Sequence, residues 1–440
     1  MVTRVPATMI LNRPITAVDR GARLKTRNIA CMERLSTSEK VFTVAMLFYT
    51  AGAVVSLITD DFASEAASQS NPLDLTIKIT LYTITLFYTI RWWRSFIATV
   101  WSIRWVLVPV LIAAFSVIWS QHPFLTFRGS AVLIATTVFG VYFGTRYTVP
   151  QQLRLLAWTF SLVVIASFLF AFFLPAYGID QGVTFGDWRG VFIQKNGLAE
   201  AMVFAFFVFL FVPASSRSLL RWIGIAGSLT LLVLSGSATG IVVCAAIVAT
   251  LPLYSLARAR FTLVIPVSLL LCLLAAGSLL IMQSNADEAL QLVNRSPDLT
   301  GRTEIWNAVL HSISKRPWLG YGFSAFWEGT TGESGSVLDA IGYTIGYSHN
   351  GFLDVLLQVG AVGLVAFIAS YLLLWNRALA LLSKATGSTA VWQCTFLVFL
   401  LLYNISEGGA ILAQNSIYWV LYIATAVSLF PVYSRRICTD

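Results

Sequence analysis

Apolar positions in this chain come in long unbroken runs rather than in alternation. After a polar opening of 40 residues, stretches close to 20 residues long recur toward the C-terminal end. Short segments rich in arginine, glycine and aromatic residues separate them. Such a run has the length of a helix crossing about 30 Å of hydrocarbon at about 1.5 Å per residue. Twelve are predicted, at about 41–58, 73–90, 105–119, 129–145, 153–175, 197–213, 219–235, 238–256, 261–282, 352–376, 388–404 and 416–432. The second contains Asp74 and Lys78, spaced i,i+4, which predicts a pair or a snorkelling side chain inside a span.

The expected fold is therefore all-α, a polytopic integral membrane protein of about 12 transmembrane helices. It divides into a basic tail at 1–40, spans one to nine at 41–282, a long loop at 283–351, spans ten to twelve at 352–432 and a short tail at 433–440. Composition agrees. Of 440 residues, 57% are hydrophobic and 11% charged, against about 25% charged in soluble domains. That excludes a water-soluble domain and, by hydrophobicity, a disordered chain.

The net charge of +9 would suit a nucleic-acid binder until the charges are placed. With the N-terminus cytoplasmic and the spans alternating, 21 of the 29 basic residues fall in cytoplasmic pieces and Lys78 within a span. The outer pieces hold seven, Arg128, Arg189, Lys195, Arg295, Arg302, Lys315 and Arg316. That asymmetry is the positive-inside pattern, so both termini are expected in the cytoplasm and no nucleic-acid partner is expected. The first apolar run is long enough to span and stay, so no cleavable signal sequence is expected. No cysteine lies in an outer segment, where oxidation would pair it. Metal-ligand spacing, a P-loop and a dinucleotide fingerprint are all missing from the sequence, so neither a metal nor another cofactor is expected.

Candidate chemistry collects in the outer segments. The loop at 283–351 is too long for a mere connection. Within it, residues 300–314 read as an amphipathic helix with Trp306, Val309, Leu310 and Ile313 on one face, ended by Pro317. Arg302 is in its first turn, where a cation opposes the dipole; an anion site or a headgroup contact would each account for it. Pro317-Trp318-Leu319-Gly320-Tyr321-Gly322-Phe323 reads as an interfacial aromatic anchor or a sugar-stacking turn. The loop ends at Tyr347-Ser348-His349-Asn350-Gly351, which sets His349 at a helix N-terminus as a candidate proton acceptor; His311 reads as structural. A second outer segment carries Arg189, Lys195 and Asn196, with Lys195 pairing Glu200 or helping to bind phosphate. A third runs from Trp119 through His122 to Arg128, and Glu407 between spans eleven and twelve is an acid able to orient a cation. Scarce cations on the outer face suit a lipid-linked diphosphate sugar, with its tail among the spans and its glycan in the loops.

These residues resemble the O-antigen ligase and O-antigen polymerase family of bacterial inner-membrane glycosyltransferases, exopolysaccharide polymerases included. The matching pieces are Trp119-Ser120 with Pro123 and Arg128, Arg189-Gly190-Val191-Phe192 with Lys195-Asn196, and Ser235-Gly236-Ser237 with Thr239-Gly240. Gly301-Arg302 with Trp306, the turn at 317–322, and Ser348-His349-Asn350 follow in order. The resemblance implies a GT-C-like helical fold with a periplasmic loop containing helices and an active site on the periplasmic side. It implies a metal-independent, inverting transfer from an undecaprenyl-diphosphate-linked oligosaccharide to an acceptor hydroxyl. His349 would then be the general base. Arg302, Arg189 and Lys195 would grip the diphosphate, with Arg128, Asn196, Trp306 and Asn350 completing the donor site. Polymerisation of an exopolysaccharide or O-antigen is the expected reading, with a ligase to a lipid core and a transporter of the same lipid-linked sugar as alternatives. Polysaccharide export and chain-length proteins are the implied partners, besides the lipid bilayer.

Overall fold

The computed structural model describes residues 36–53, 72–181, 186–213, 218–259, 300–327, 332–384 and 388–430. These fold into helices, with one isolated antiparallel bridge between Ile179 and Trp188 and no strand among the described residues. Besides a single helical turn at Pro175–Gly178, in chain order they are α1 (Thr37–Thr50), α2 (Pro72–Arg91), α3 (Trp93–Ser102), α4 (Val108–Phe115), α5 (Pro123–Arg146), α6 (Val149–Phe173) and α7 (Lys195–Phe211). Then come α8 (Ser218–Leu234), α9 (Ala238–Ala259), α10 (Thr300–Lys315), α11 (Gly332–Ile341), α12 (Gly351–Lys384), α13 (Ser388–Ser406) and α14 (Ile417–Leu429). Five of them, α2, α5, α6, α12 and α13, are long and apolar enough to cross a membrane, and shorter apolar helices stand beside them. The fold is that of a multi-pass membrane protein. The ninth expected span and the last five residues of the first lie outside the described residues, as do 283–299 of the long loop and the tails up to residue 35 and from 431.

Boundaries follow local chemistry. The fourth span starts at Pro123 rather than near 129, because proline has no N–H to lose at a first helical position. The third gives eight α-helical residues and a 3₁₀ turn at Ser116–Ile118. Asp74 and Lys78 pair as expected at 3.0 Å, with the Tyr49 hydroxyl donating to the same carboxylate. The tightest packing joins α5 to α14. A Cβ on Gly140 would stand 2.8 Å from Ile423 Cβ, and one on Gly144 would stand 2.7 Å from Val427 Cβ. This small-xxx-small pair lets the two backbones meet where hydrophobic exclusion cannot draw helices together.

The tenth span is not one helix. Gly360 has φ 65° and ψ −169°, so α12 breaks there. A break leaves carbonyls above it and N–H groups below it without helical partners, which is intolerable beside hydrocarbon unless protein supplies replacements. The turn at 317–322 does so. Tyr321 and Gly322 N–H groups donate to the Leu357 and Gln358 carbonyls at 2.8 and 2.9 Å. Ala361 and Val362 N–H groups donate to the Pro317 and Trp318 carbonyls at 2.8 and 3.1 Å. This glycine-rich turn, read from sequence as an anchor or a sugar surface, works through its backbone as a splint. Trp119 Nε1 donates to the Leu319 carbonyl at 2.8 Å and ties the third outer segment to it.

A Cβ at position 360 would meet the Trp318 carbonyl oxygen at 2.2 Å, in a backbone conformation that L side chains avoid. Gly360→Ala is expected to cost at least about 2 kcal/mol from left-handed strain and overpacking together. A several-degree drop in the thermal unfolding midpoint of the purified protein checks this; an unchanged midpoint would contradict the splint.

Candidate active site

The loop helix α10 forms where the sequence pattern places it, but its inward face differs in one respect. Arg302, Ile305, Val309 and Ser312 are buried, whereas Leu310 is half exposed at 50%. Ile305 and Val309 join Tyr321, Phe326, Val337, Ile341, Ile345 and Leu357 in a small core of their own. That core presses α10 down on α11 and on the first half of α12 and drives Arg302 inward with it.

Buried, the guanidinium must find acceptors. Arg302 Nη1 donates to the Ser406 carbonyl and Nη2 to Glu407 Oε1, each at 2.5 Å. The other carboxylate oxygen, Glu407 Oε2, lies 3.2 Å from His349 Nδ1 and accepts from the Tyr347 hydroxyl at 3.4 Å. One carboxylate therefore bridges the cation and the imidazole. Burial alone would raise the Glu407 carboxyl. The Arg302 charge outweighs it together with the His349 hydrogen bond, and Glu407 is held below the ordinary glutamate value. An ionised carboxylate only accepts, so Nδ1 is the donor and Nε2 is the ring nitrogen turned to other work.

His349 itself sits at φ 54°, a region a non-glycine residue keeps only when its surroundings over-determine it. They do. Ser348 N–H and Trp327 Nε1 both donate to Asp354 Oδ1 at 3.0 Å. Trp306 Nε1 donates to the Ser348 carbonyl at 3.0 Å. Asn350 Oδ1 caps α12 through the N–H groups of Phe352 and Leu353, and its Nδ2 donates to the Ile405 carbonyl. Next to it a Cβ on Gly351 would collide with Asn404 Oδ1 at 2.1 Å, so glycine is required for the close approach of α13. The Tyr347 ring lies 4.2 Å from the imidazole centroid.

Arg302, His349, Trp306 and Asn350 thus come together. Trp306 and Asn350 hold the His349 turn through its backbone. Arg189 stands on the neighbouring segment. Its guanidinium is buried and engaged by main-chain carbonyls, Nε on Tyr177 at 2.9 Å, Nη2 on Ala176 at 3.1 Å and Nη1 on Ile193 at 3.5 Å. It braces the segment between α6 and α7. Lys195 pairs with Asp187 at 3.1 Å rather than with Glu200. Asn196 Oδ1 accepts from Ser237 at 3.1 Å, and neighbouring Gln194 accepts from the Tyr347 hydroxyl at 3.3 Å, which joins this segment to the His349 turn. Arg128 is exposed on α5. Three residues of the site carried little weight in the sequence reading: Glu407 as a bridge, Asp354 and Tyr347.

Residues 223–368, from α8 into α12, match the family model described as O-Antigen ligase. Over that stretch the chain is similar to the O-antigen ligase family. It is similar to the exopolysaccharide production protein ExoQ of Rhizobium meliloti, 24% identical over 291 residues, or 62% of this chain and 64% of that protein. It is also similar to the O-antigen ligase of Pseudomonas aeruginosa, 29% identical over 136 residues, or 31% of each. The chain thus spans less than two thirds of either relative's length. Arg302 and His349 lie inside the family region and Glu407 lies beyond it.

A depressed carboxylate stabilises the fold above the ordinary glutamate pKa, and that contribution is lost as pH falls through its lowered folded value. Glu407→Gln is expected to flatten this acid limb in thermal unfolding followed against pH. At neutral pH it should cost about 3 kcal/mol, because Arg302 is left buried and uncompensated. An acid limb identical to the parent's would remove the bridge from the account.

Proposed function

We propose that this chain is a membrane glycosyltransferase that moves an undecaprenyl-diphosphate-linked glycan onto an acceptor hydroxyl at the outer face of the bacterial inner membrane. The observation that carries this reading is the continuous chain from Arg302 through Glu407 to His349 at one end of the helical bundle. With Nδ1 fixed on Glu407, His349 Nε2 takes the proton as the acceptor O–H bond breaks. The freed oxygen bonds to the anomeric carbon from the face opposite the diphosphate. The bond from that carbon to the phosphate oxygen breaks, its electron pair goes to the diphosphate, and the sugar inverts.

Charge then grows on the leaving group. Arg302 carries five N–H donors and engages one on each terminal nitrogen with Ser406 and Glu407. Its remaining donors, with Lys195 on the adjoining segment, are the proposed diphosphate contacts, and such preorganised cations stabilise a transition state directly. Arg189 is assigned the upkeep of that segment, and Arg128 an outlying place in the donor path. Converging cations make a metal unnecessary in this scheme.

Polymerisation of an exopolysaccharide or O-antigen is favoured over ligation to a lipid core, because similarity to the exopolysaccharide production protein runs over 291 residues against 136 for the ligase. A transporter would use a broken helix as an open binding site. The break at Gly360 is instead filled by the backbone of 317–322, which speaks for a rigid scaffold.

Purified protein given lipid-linked repeats alone should make longer chains. No elongation until a core acceptor is added would move the assignment to a ligase. His349→Ala should lower transfer by at least about 10²-fold with donor binding retained, in line with removal of a general base. Arg302→Lys should also be damaging, since an ammonium cannot reproduce the forked contacts. If both variants transfer like the parent, the site is elsewhere.

A further inference from the structure

The short helix α3 lies between the second and third spans and has no place in the site above. We infer that α3 is an interfacial anchor that seats one face among the headgroups of an anionic phospholipid leaflet. Its ten residues reach about 15 Å, half the hydrocarbon thickness, so it cannot cross. Phe96 and Val100 pack on the bundle core and Thr99 is buried, so one face is settled.

The opposite face is neither a core face nor a water face. Trp93, Ile97, Trp101 and the following Trp105 recur every four residues and are 53, 56, 70 and 64% exposed. Arginines are set among them. The Arg94 guanidinium lies 5.5 Å from the Trp93 ring, and that of Arg104 lies 5.0 and 5.5 Å from the Trp101 and Trp105 rings. Arg104 also donates to the Trp101 carbonyl at 2.9 Å. Residues 91–105 contain three arginines and no acid.

Indole rings favour the boundary between hydrocarbon and water, and guanidinium groups laid over them reach phosphate while their stems stay in apolar surroundings. Charge complementarity therefore selects an anionic headgroup layer as the occupant. The location fits. Ser102 Oγ donates to the Phe430 carbonyl at the end of α14, and the Arg146 guanidinium at the end of α5 lies 4.4 Å from the Trp92 ring. Arg377 lies 4.5 Å from the Phe430 ring at the same end. This is the basic end of the bundle, the cytoplasmic one by the charge asymmetry.

The test uses the full chain in vesicles of phosphatidylcholine and phosphatidylglycerol, comparing the parent with a Trp93→Phe, Trp101→Phe, Trp105→Phe variant whose apolar face is kept. The difference fluorescence belongs to the three indoles. It should be quenched by lipids brominated near the headgroup more than by lipids brominated near the midplane, and iodide in water should reach it little. Quenching by iodide alone would mean a water-facing stripe and overturn the proposal. Shielding from both quenchers would mean a protein neighbour and overturn it as well. Arg94→Gln with Arg104→Gln should reduce retention of phosphatidylglycerol over phosphatidylcholine by roughly fivefold per arginine. Equal retention by parent and variant would overturn the choice of an anionic layer.

Discussion

A single buried carboxylate carries the arrangement. Glu407 has been taken out of water, and such a charge survives only if both oxygens are answered. Arg302 answers one and His349 the other. Each of these has its own reason to be where it is, a helix face pressed inward by a small apolar core in one case and a strained turn in the other. Removing the acid would leave a cation unpaired and an imidazole free to turn. The alignment of the imidazole and the packing of this cap therefore share one electrostatic constraint.

The second constraint is backbone accounting. A helix broken within a bilayer exposes polar groups that hydrocarbon cannot satisfy. Here the break at Gly360 is bound on both sides by the 317–322 turn. That turn also carries Tyr321 into the small core beneath α10. Splint and cap are thus continuous, so the first half of α12, with the His349 turn and Asp354 at its head, is held as one piece with the helix that presents Arg302.

Much of this was legible from residue order because membrane proteins leave few polar residues outside their purpose. Arg302 and His349 stood out against long apolar runs, and the α10 pattern gave its helix within a residue at either end. Arg189 stood out equally, but residue order does not show that its guanidinium engages main-chain carbonyls. The Glu407 bridge was hidden by distance along the chain, with partners 105 and 58 residues away. Gly360 is one small residue in an apolar run, and nothing local distinguishes a break from a packing contact. The helix α3 was lost among basic connecting residues because the exposed stripe of Trp93, Ile97 and Trp101 forms only when the segment is wound into a helix.

The order of the parts has a consequence for biogenesis. Arg302 and His349 emerge before α12, whereas their shared acid follows α13, at the far end of a hairpin that must be threaded into the bilayer first. A nascent polypeptide halted after the His349 turn would display both groups without the residue that aligns them. Alignment of the imidazole by its carboxylate is thereby tied to the placement of both α12 and α13.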